Sequence, residues 1–171
     1  IDRRRVIVGK PFHKTPVFSD LISYAEFNPT WTVPPSIAGN KMLPKLRNDP
    51  GYLEKRVYKI YTSWKSGAPA MSPYSIDWNS VSKRRFPYRI VQGPGKNNAL
   101  GNVKFIFPNK HNIYLHDTPS RQLFSRSSRA FSHGCIRVDK PLDFAEVLFS
   151  LDKGLSSSSI ISIIASNKTK R

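Results

Sequence analysis

The sequence predicts a mainly β domain with helices, of the α+β class, and three observations support this. Short runs of β-branched and aromatic residues, cut by Pro and Gly, are typical of strands, and they occur in residues 3–28 and again in residues 86–117. A proline-rich region separates the two groups of strands, and a run with helical spacing of apolar residues follows them. The 171 residues are enough for one domain with a hydrophobic core.

The predicted strands fall into two groups. The first group consists of "RRVIVGK", "TPVFS" and "ISYAEFN", and the second of "FPYRIVQ", "GNVKFIFPN" and "HNIYLHD". The turn-rich segment "GPGKNNAL" connects the first two strands of the second group. A polar stretch rich in Ser and Arg then leads to the only cysteine of the chain, and it is too irregular to predict a long element.

The region from about 28 to 85 predicts short helices and loops rather than sheet, with Pro35 at a helix start. Long irregular insertions in compact domains tend to be lids or binding loops. Further on, "KPLDFAEVLFSL" predicts an amphipathic helix with an apolar face made of Leu142, Ala145, Leu148 and Phe149. The final segment, "GLSSSSIISIIASNKTKR", predicts a last helix, with a strand as the alternative.

The charge of the chain is strongly positive, with 28 Lys and Arg against 11 Asp and Glu and a net charge of +17. Such an excess predicts an anionic partner, but the basic residues are scattered and form no nucleic-acid-binding signature, so nucleic acid is not expected. No apolar run approaches the ~18 residues of a membrane span. Because the chain begins with Ile, we expect a processed or excised piece, with any export signal or membrane anchor outside it.

The most informative stretch is "FSHGCIRV", which contains the single cysteine, Cys135. A thiol becomes a good nucleophile when a neighbouring imidazole or aligned N–H groups lower its pKa from ~8.5. On an extended segment His133 would share a face with Cys135, and Gly134 would leave main-chain N–H groups free to hold an oxyanion. His116 ends the predicted strand "NIYLHD", and Arg137 could meet a substrate carboxylate.

Each of these residues also has a plain structural explanation. A lone cysteine is more often buried and inert, and a histidine at a strand end is usually a surface or hydrogen-bonded residue. One cysteine allows no internal disulfide and no multi-cysteine zinc module. A further alternative is a metal site, although the spacing fits no zinc motif, made of His111, His116, His133 and Cys135.

The combination resembles the L,D-transpeptidase family of peptidoglycan cross-linking enzymes. The family motif is a histidine, a spacer of about fifteen residues, then Ser/Thr-His-Gly-Cys, an apolar residue and Asn or Arg. Here fifteen residues separate His116 from "SHGCIR". The resemblance extends over roughly residues 3–152 and includes "VIVGKPFHKTPVFS", "FNPTWTVPPSIA", "LPKLRNDPGYLEK", "IDW", "GPGKNNALGNVKFIFPN" and "IYLHDTPSRQLF". These segments are similar to the larger Gram-negative members, which carry a substrate-capping insertion.

The resemblance implies a single catalytic domain over residues 1–171, built as a β-sandwich or barrel, with the capping insertion at about 28–85. Family members continue into further strands, so we expect C-terminal strands to be missing here. The resemblance also implies Cys135 as the nucleophile and His116 as its base, oriented by the main-chain carbonyl of Asp117.

The other implied roles concern the loop around the nucleophile. His133 would line the site, Ser132 would shape the loop, and Arg137 would contact substrate or order the loop. N–H groups near Gly134 and Cys135, with the Tyr114 hydroxyl, would hold the oxyanion.

The implied reaction joins two tetrapeptide stems of peptidoglycan in the periplasm of a Gram-negative bacterium. A thioester at Cys135 would form with release of D-alanine, and a second diaminopimelate would then give a 3–3 cross-link. The same thiol would be acylated by carbapenem β-lactams, and no cofactor or metal is implied. The alternatives are a hydrolase or a lipoprotein-attaching transpeptidase on the same scaffold and, from another class, a non-catalytic basic binding module.

Overall fold

The computed structural model describes residues 2–150 and 155–171. Within these residues ten strands occur in the following order: β1 Val6–Gly9, β2 Tyr24–Phe27, β3 Trp31–Thr32, β4 Tyr58–Tyr61, β5 Ala70–Met71, β6 Arg89–Gln92, β7 Val103–Ile106, β8 Leu115–His116, β9 Ala130–Ser132 and β10 Ile136–Val138.

The same residues contain four α-helices: α1 Pro35–Ile37, α2 Leu43–Asn48, α3 Pro141–Ser150 and α4 Ser157–Ala165. A π-helical segment, Ala38–Met42, joins α1 to α2. Short 3-10 helices occupy Pro11–His13, Pro50–Tyr52, Glu54–Arg56, Pro73–Ser75 and Arg121–Ser125. Pro35 is the first residue of α1, as predicted, since its fixed φ suits a helix start. Mixed sheets with several helices confirm the predicted α+β class.

The chain forms two compact units, and the first comprises Ile1–Pro29 and Pro94–Arg171. Its six-stranded sheet has the order β2-β7-β8-β10-β1-β9. The central strand β10 is parallel to β8 and antiparallel to β1, which places the end of "NIYLHD" beside "CIRV". Two segments that are distant in the sequence are thereby brought to adjacent strands.

One face of this sheet packs on the two long helices. Alternate residues of β2 and β7, such as Phe27 and Phe105, form a cluster with Ala145 of α3 and Ile160 of α4. The other predicted residues of the apolar face, Leu142, Leu148 and Phe149, pack against the same cluster, so the predicted helix is confirmed. Because side chains alternate along a strand, the residues between them point to the opposite face.

The predicted last helix is also confirmed, as α4. The Ser156 hydroxyl accepts a hydrogen bond from the N–H of Ser159 at 3.3 Å and caps its start. At its other end, the side-chain amide of Asn28 donates to the carbonyls of Ile163 and Ile164 at 2.7 and 3.3 Å. These bonds satisfy carbonyls that a helix end leaves without intrahelical donors.

The second unit, Thr30–Gly93, contains an antiparallel four-stranded sheet of order β3-β6-β4-β5. Its core is a cluster of buried apolar residues that includes Leu46 of α2, Ile60 of β4 and Ile90 of β6. The buried Trp78 ring belongs to this core, and its N–H donates to the carbonyl of Pro73 at 2.8 Å. This unit overlaps the predicted capping insertion, whose capping role stays a prediction.

Two secondary-structure predictions are wrong. The segment "TPVFS" is not a strand, because Val17 is fully exposed at 103 % and no neighbouring strand pairs with it in the part of the chain that the structure describes. The region from 28 to 85 contains sheet, since β3, β4 and β5 lie within it. Strands this short give little local signal, and pairing stabilises them: β3 and β4 pair with β6, and β5 pairs with β4.

The remaining predicted strands are confirmed in shorter form, and "HNIYLHD" contributes only β8. Among the described residues, no helix combines the length and the apolar character needed to cross a bilayer.

Candidate active site

The site is built on the adjacent strands β8 and β10. Arg137 lies opposite His116 in the parallel pairing, and the N–H of Ile136 donates to the carbonyl of Tyr114 at 3.1 Å. Paired residues face the same side of a sheet, as do residues two apart on one strand. His116, Arg137 and Tyr114 therefore share the sheet face opposite the helices, and Cys135 is the residue directly before β10.

The His116 imidazole is buried and has a defined tautomer. Its side chain is 5 % exposed, and Nδ1 lies 2.5 Å from the main-chain oxygen of Asp117. A carbonyl can only accept, so Nδ1 carries the proton and the neutral ring presents a lone pair at Nε2. Burial lowers the pKa of His116 from 6.5 to about 4, although the Asp117 carbonyl opposes this shift. The ring is therefore neutral at physiological pH and able to accept a proton.

The Cys135 thiol is protonated at rest. Burial raises its pKa above the ordinary value, and the Tyr114 N–H, the Tyr114 hydroxyl and the Arg137 charge oppose that rise. Its sulfur lies 3.9 Å from the carbonyl oxygen of Asn112, to which it donates. Because both the thiol and the imidazole are neutral, we expect proton transfer to accompany nucleophilic attack, without a preformed ion pair.

Tyr114 contacts both candidate catalytic groups. Its ring centroid lies 5.7 Å from that of His116, and its hydroxyl hydrogen-bonds with Cys135. Burial, together with the neighbouring Cys135, raises the pKa of Tyr114 far above its usual range, so the hydroxyl keeps its proton as a donor. No hydrogen bond joins the His116 ring directly to the Cys135 sulfur within residues 2–150 and 155–171. Tyr114 is thus the group that lies next to both.

Ser132 closes the loop that carries the cysteine. Its hydroxyl donates to the carbonyl of Cys135 at 2.6 Å and accepts from the N–H of Gly134 at 3.1 Å. The Gly134 N–H, a predicted oxyanion donor, is therefore already used inside the loop. In the part of the chain that the structure describes, the Cys135 N–H has no acceptor, which makes it the main-chain donor available to an oxyanion.

Gly134 is required by the conformation of this loop. Its φ is +120°, which side chains rarely tolerate, and an added Cβ would lie 3.2 Å from the Ile113 side chain. The loop bends at residues 133–135, so the extended segment expected to align His133 with Cys135 does not form. Instead His133 is exposed and stacks on His13, with ring centroids 4.7 Å apart.

Known proteins are similar to this chain over most of its length. Residues 1–153 match the family described as the L,D-transpeptidase catalytic domain. This chain belongs to the L,D-transpeptidase catalytic domain family. It is 40 % identical over 165 residues to a Haemophilus influenzae protein named "Putative L,D-transpeptidase", an alignment that covers 96 % of this chain and 32 % of that protein. The chain thus spans about a third of the length of this relative.

In this transpeptidase domain the Arg137 charge acts on both candidate catalytic residues. Its cation lowers the pKa of both His116 and Cys135. Its Nε atom is buried and has no partner among the described residues, so the guanidinium keeps a donor for another acceptor. Bidentate binding of a carboxylate by Arg requires such a donor.

The structure adds residues that the sequence did not single out. The Thr15 hydroxyl donates to the carbonyl of Gly134 at 2.7 Å and accepts from the N–H of Gly9 at 2.9 Å. It ties the end of β1 to the cysteine loop across 119 positions of sequence. A lone Thr in a loop gives no signal of such a contact. For Asp117 the sequence indicated only the main-chain carbonyl, whereas its buried side chain makes contacts of its own.

The described residues contain no cluster that fits the alternative of a metal site. Among the described residues no group of three or more His, Cys, Asp or Glu side chains is placed to hold an ion. His111 packs on Phe18, with ring centroids 5.6 Å apart, and His133 stacks on His13.

Proposed function

We propose that this domain is an L,D-transpeptidase that forms 3–3 cross-links between peptidoglycan stems, with Cys135 as nucleophile and His116 as general base. One observation carries the proposal: a neutral imidazole at the end of β8 and a thiol just before the adjacent strand β10 each lie next to Tyr114. Such a pair suits covalent acyl transfer, which divides one difficult displacement into two easier ones.

The first step is acylation by a donor tetrapeptide. The sulfur attacks the carbonyl of diaminopimelate while the thiol proton passes to Nε2 of His116. The Cys135 N–H and the Tyr114 hydroxyl stabilise the tetrahedral oxyanion. On collapse the C–N bond breaks, the imidazolium returns its proton to the leaving amine, and D-alanine departs from the thioester.

The second step transfers the acyl group to an acceptor stem. The side-chain amine of a second diaminopimelate attacks the thioester, and His116 accepts a proton from it. The C–S bond then breaks, the proton returns to sulfur, and the 3–3 amide leaves with the thiol regenerated. Arg137 binds a stem carboxylate, and the net charge of +17 attracts these carboxylate-rich substrates.

The proposal has two further consequences. Because a carbapenem presents a strained carbonyl to the same thiol, it should leave a covalent adduct on Cys135. Because the stems lie in the cell wall, the domain would work in the periplasm of a Gram-negative envelope.

The test is incubation of the purified domain with disaccharide-tetrapeptides, followed by mass analysis of the products. The expected product is a 3–3 dimer plus free D-alanine, absent with Cys135→Ala and His116→Ala and retained with the exposed control Arg126→Gln. If the product is the tripeptide and no dimer forms, the domain would be a hydrolase and not a transferase. Unchanged dimer formation by Cys135→Ala would exclude the proposed nucleophile.

A further inference from the structure

The Asp117 side chain is deeply buried and hydrogen-bonded, although the reaction described above needs only its main-chain carbonyl. It is 2 % exposed, and its carboxylate accepts from the N–H of Thr118 at 2.7 Å and from the N–H of Asn102 at 2.9 Å. The Arg121 guanidinium adds contacts of 3.2 and 3.4 Å. A buried carboxylate is costly unless it is paired and hydrogen-bonded, and this one has three donors.

The turn before β7 is shaped to receive this carboxylate. The N–H of Gly101 donates to the carbonyl of Asn98 at 2.9 Å, which brings the next N–H, that of Asn102, to Asp117. Gly101 has a φ of +61°, and an added Cβ would lie 2.3 Å from Cγ of Asp117. Glycine is therefore required here both by the backbone conformation and by the space that the carboxylate occupies.

One peptide group connects the carboxylate to the imidazole. The peptide between Asp117 and Thr118 accepts from Nδ1 of His116 through its carbonyl, and its N–H donates to the Asp117 carboxylate. Because a peptide group is planar, holding its N–H also fixes the direction of its carbonyl. Hydrogen bonds in a chain also polarise one another, which makes that carbonyl a stronger acceptor.

We propose that the Asp117 carboxylate is a positioning residue for this reaction: held by Asn102 and Arg121, it orients the 117–118 peptide that keeps His116 in its Nδ1–H tautomer. This inference rests on the proposed function of His116 as the base. Of the three donors to the Asp117 carboxylate, Arg121 stabilises it the least, because its side chain is 56 % exposed and exposed ion pairs add little stability.

The test compares the wild-type domain with Asp117→Asn, which keeps the size of the side chain but cannot accept from both N–H groups. Nitrogen NMR of isotope-labelled histidine, assigned with His116→Ala, shows which ring nitrogen of His116 carries the proton. Intact-protein mass analysis then measures single-turnover acylation by the donor tetrapeptide. Iodoacetamide alkylation across pH reports the access and the pKa of Cys135 without involving the base. Asp143→Asn, an exposed acid of the same unit, is the matched control.

The wild type should show a protonated Nδ1, and Asp117→Asn should mix the two tautomers and slow acylation about 10- to 100-fold. Its alkylation profile should match the wild type, as should every measurement on Asp143→Asn.

A wild-type ring protonated at Nε2, or unchanged acylation by Asp117→Asn, would overturn the inference. So would an equal loss of alkylation and acylation, because it would mean a general disturbance of the loop. If Asp117→Asn does not fold, the wild-type spectrum and a slowing of acylation by only about 2-fold in Arg121→Gln, the size expected for loss of an exposed ion pair, decide the matter. Failure of the wild type to form any acyl-enzyme would instead refute the proposed function.

Discussion

Arg137 lies directly opposite His116 across the parallel strands β10 and β8, and its cation lowers the pKa of that imidazole. The same charge lowers the pKa of the Cys135 thiol, against the larger effect of burial. One arginine therefore favours both states that the proposed mechanism requires, a neutral imidazole at His116 and an ionisable thiol at Cys135.

Replacing this charge should move the titration of the thiol upward. In Arg137→Gln the pKa of Cys135 should rise further, because the thiolate loses a stabilising cation. Iodoacetamide alkylation followed across pH would show the profile displaced to higher pH. Arg126→Gln removes an exposed charge elsewhere and should leave the profile in place. A shift to lower pH in Arg137→Gln would contradict this electrostatic role.

Because the His116 imidazole is buried, the rate of acylation should fall only at an unusually low pH. His116 accepts a proton only when neutral, and its pKa is about 4 instead of 6.5. The rate of single-turnover acylation should therefore fall with a midpoint near pH 4. A midpoint near 6.5 would mean that the ring is solvated.

The same residue makes stability depend on pH. As the pH falls below 6.5 the unfolded chain protonates His116, while the folded state stays neutral down to about 4. The unfolded state thus binds more protons in this window, and the free energy of unfolding decreases as the pH falls. In urea unfolding measured between these pH values, the free energy of unfolding should decrease less in His116→Gln than in the wild type.

Thr15 should matter through its hydroxyl. Thr15→Val removes the donor to Gly134 and the acceptor for Gly9, and loss of such partly buried bonds costs about 1–3 kcal/mol. We expect lower stability in urea together with slower acylation, because the cysteine loop loses its tie to β1. Thr15→Ser keeps the hydroxyl and should restore most of both. Equal behaviour of the two variants would show that the hydroxyl is not responsible.

Glu26 should stabilise the first unit in a pH-dependent manner. Burial would raise its pKa, but Lys104 at 2.7 Å and Arg171 at 2.8 Å outweigh this effect and hold the pKa below 4.5. The stabilisation by ionised Glu26 is present above pH 4.5. It is lost as the pH falls through the lower pKa that Glu26 has in the folded state. Thermal unfolding across this range should lose part of its acid sensitivity in Glu26→Gln. The exposed Asp143→Asn should retain it.

The second unit offers a test of its own core. Leu46 is completely buried, so Leu46→Ala should cost about 2–5 kcal/mol, since the cavity would not be refilled. Leu46→Met keeps the volume and should cost less than about 1.5 kcal/mol. Hydrogen exchange of amides in Thr30–Gly93 would measure both losses. An equal loss in the two variants would indicate that packing volume at this position is unimportant.

Local patterns predicted the longer and more regular elements. The helix α3 carries a clear helical period of apolar residues, and β7 lies in a run of β-branched and aromatic residues; both occur where these patterns predict them. The strands β3 and β5, of two residues each, were not predicted, and "TPVFS" was predicted to be a strand although it is not. A short strand exists because of the partner that it hydrogen-bonds, and no local window contains that partner.

The sequence by itself determined the candidate groups: one cysteine, a glycine directly before it, a histidine separated from "SHGC" by fifteen residues, and a strongly basic composition. Only the tertiary structure decided how these groups are used. It assigned the Gly134 N–H to Ser132, tied the loop to Thr15, and buried the Asp117 carboxylate beside the peptide that holds His116. Hydrogen bonds between distant segments depend on strand register and on which donors are already satisfied, and a linear pattern contains neither.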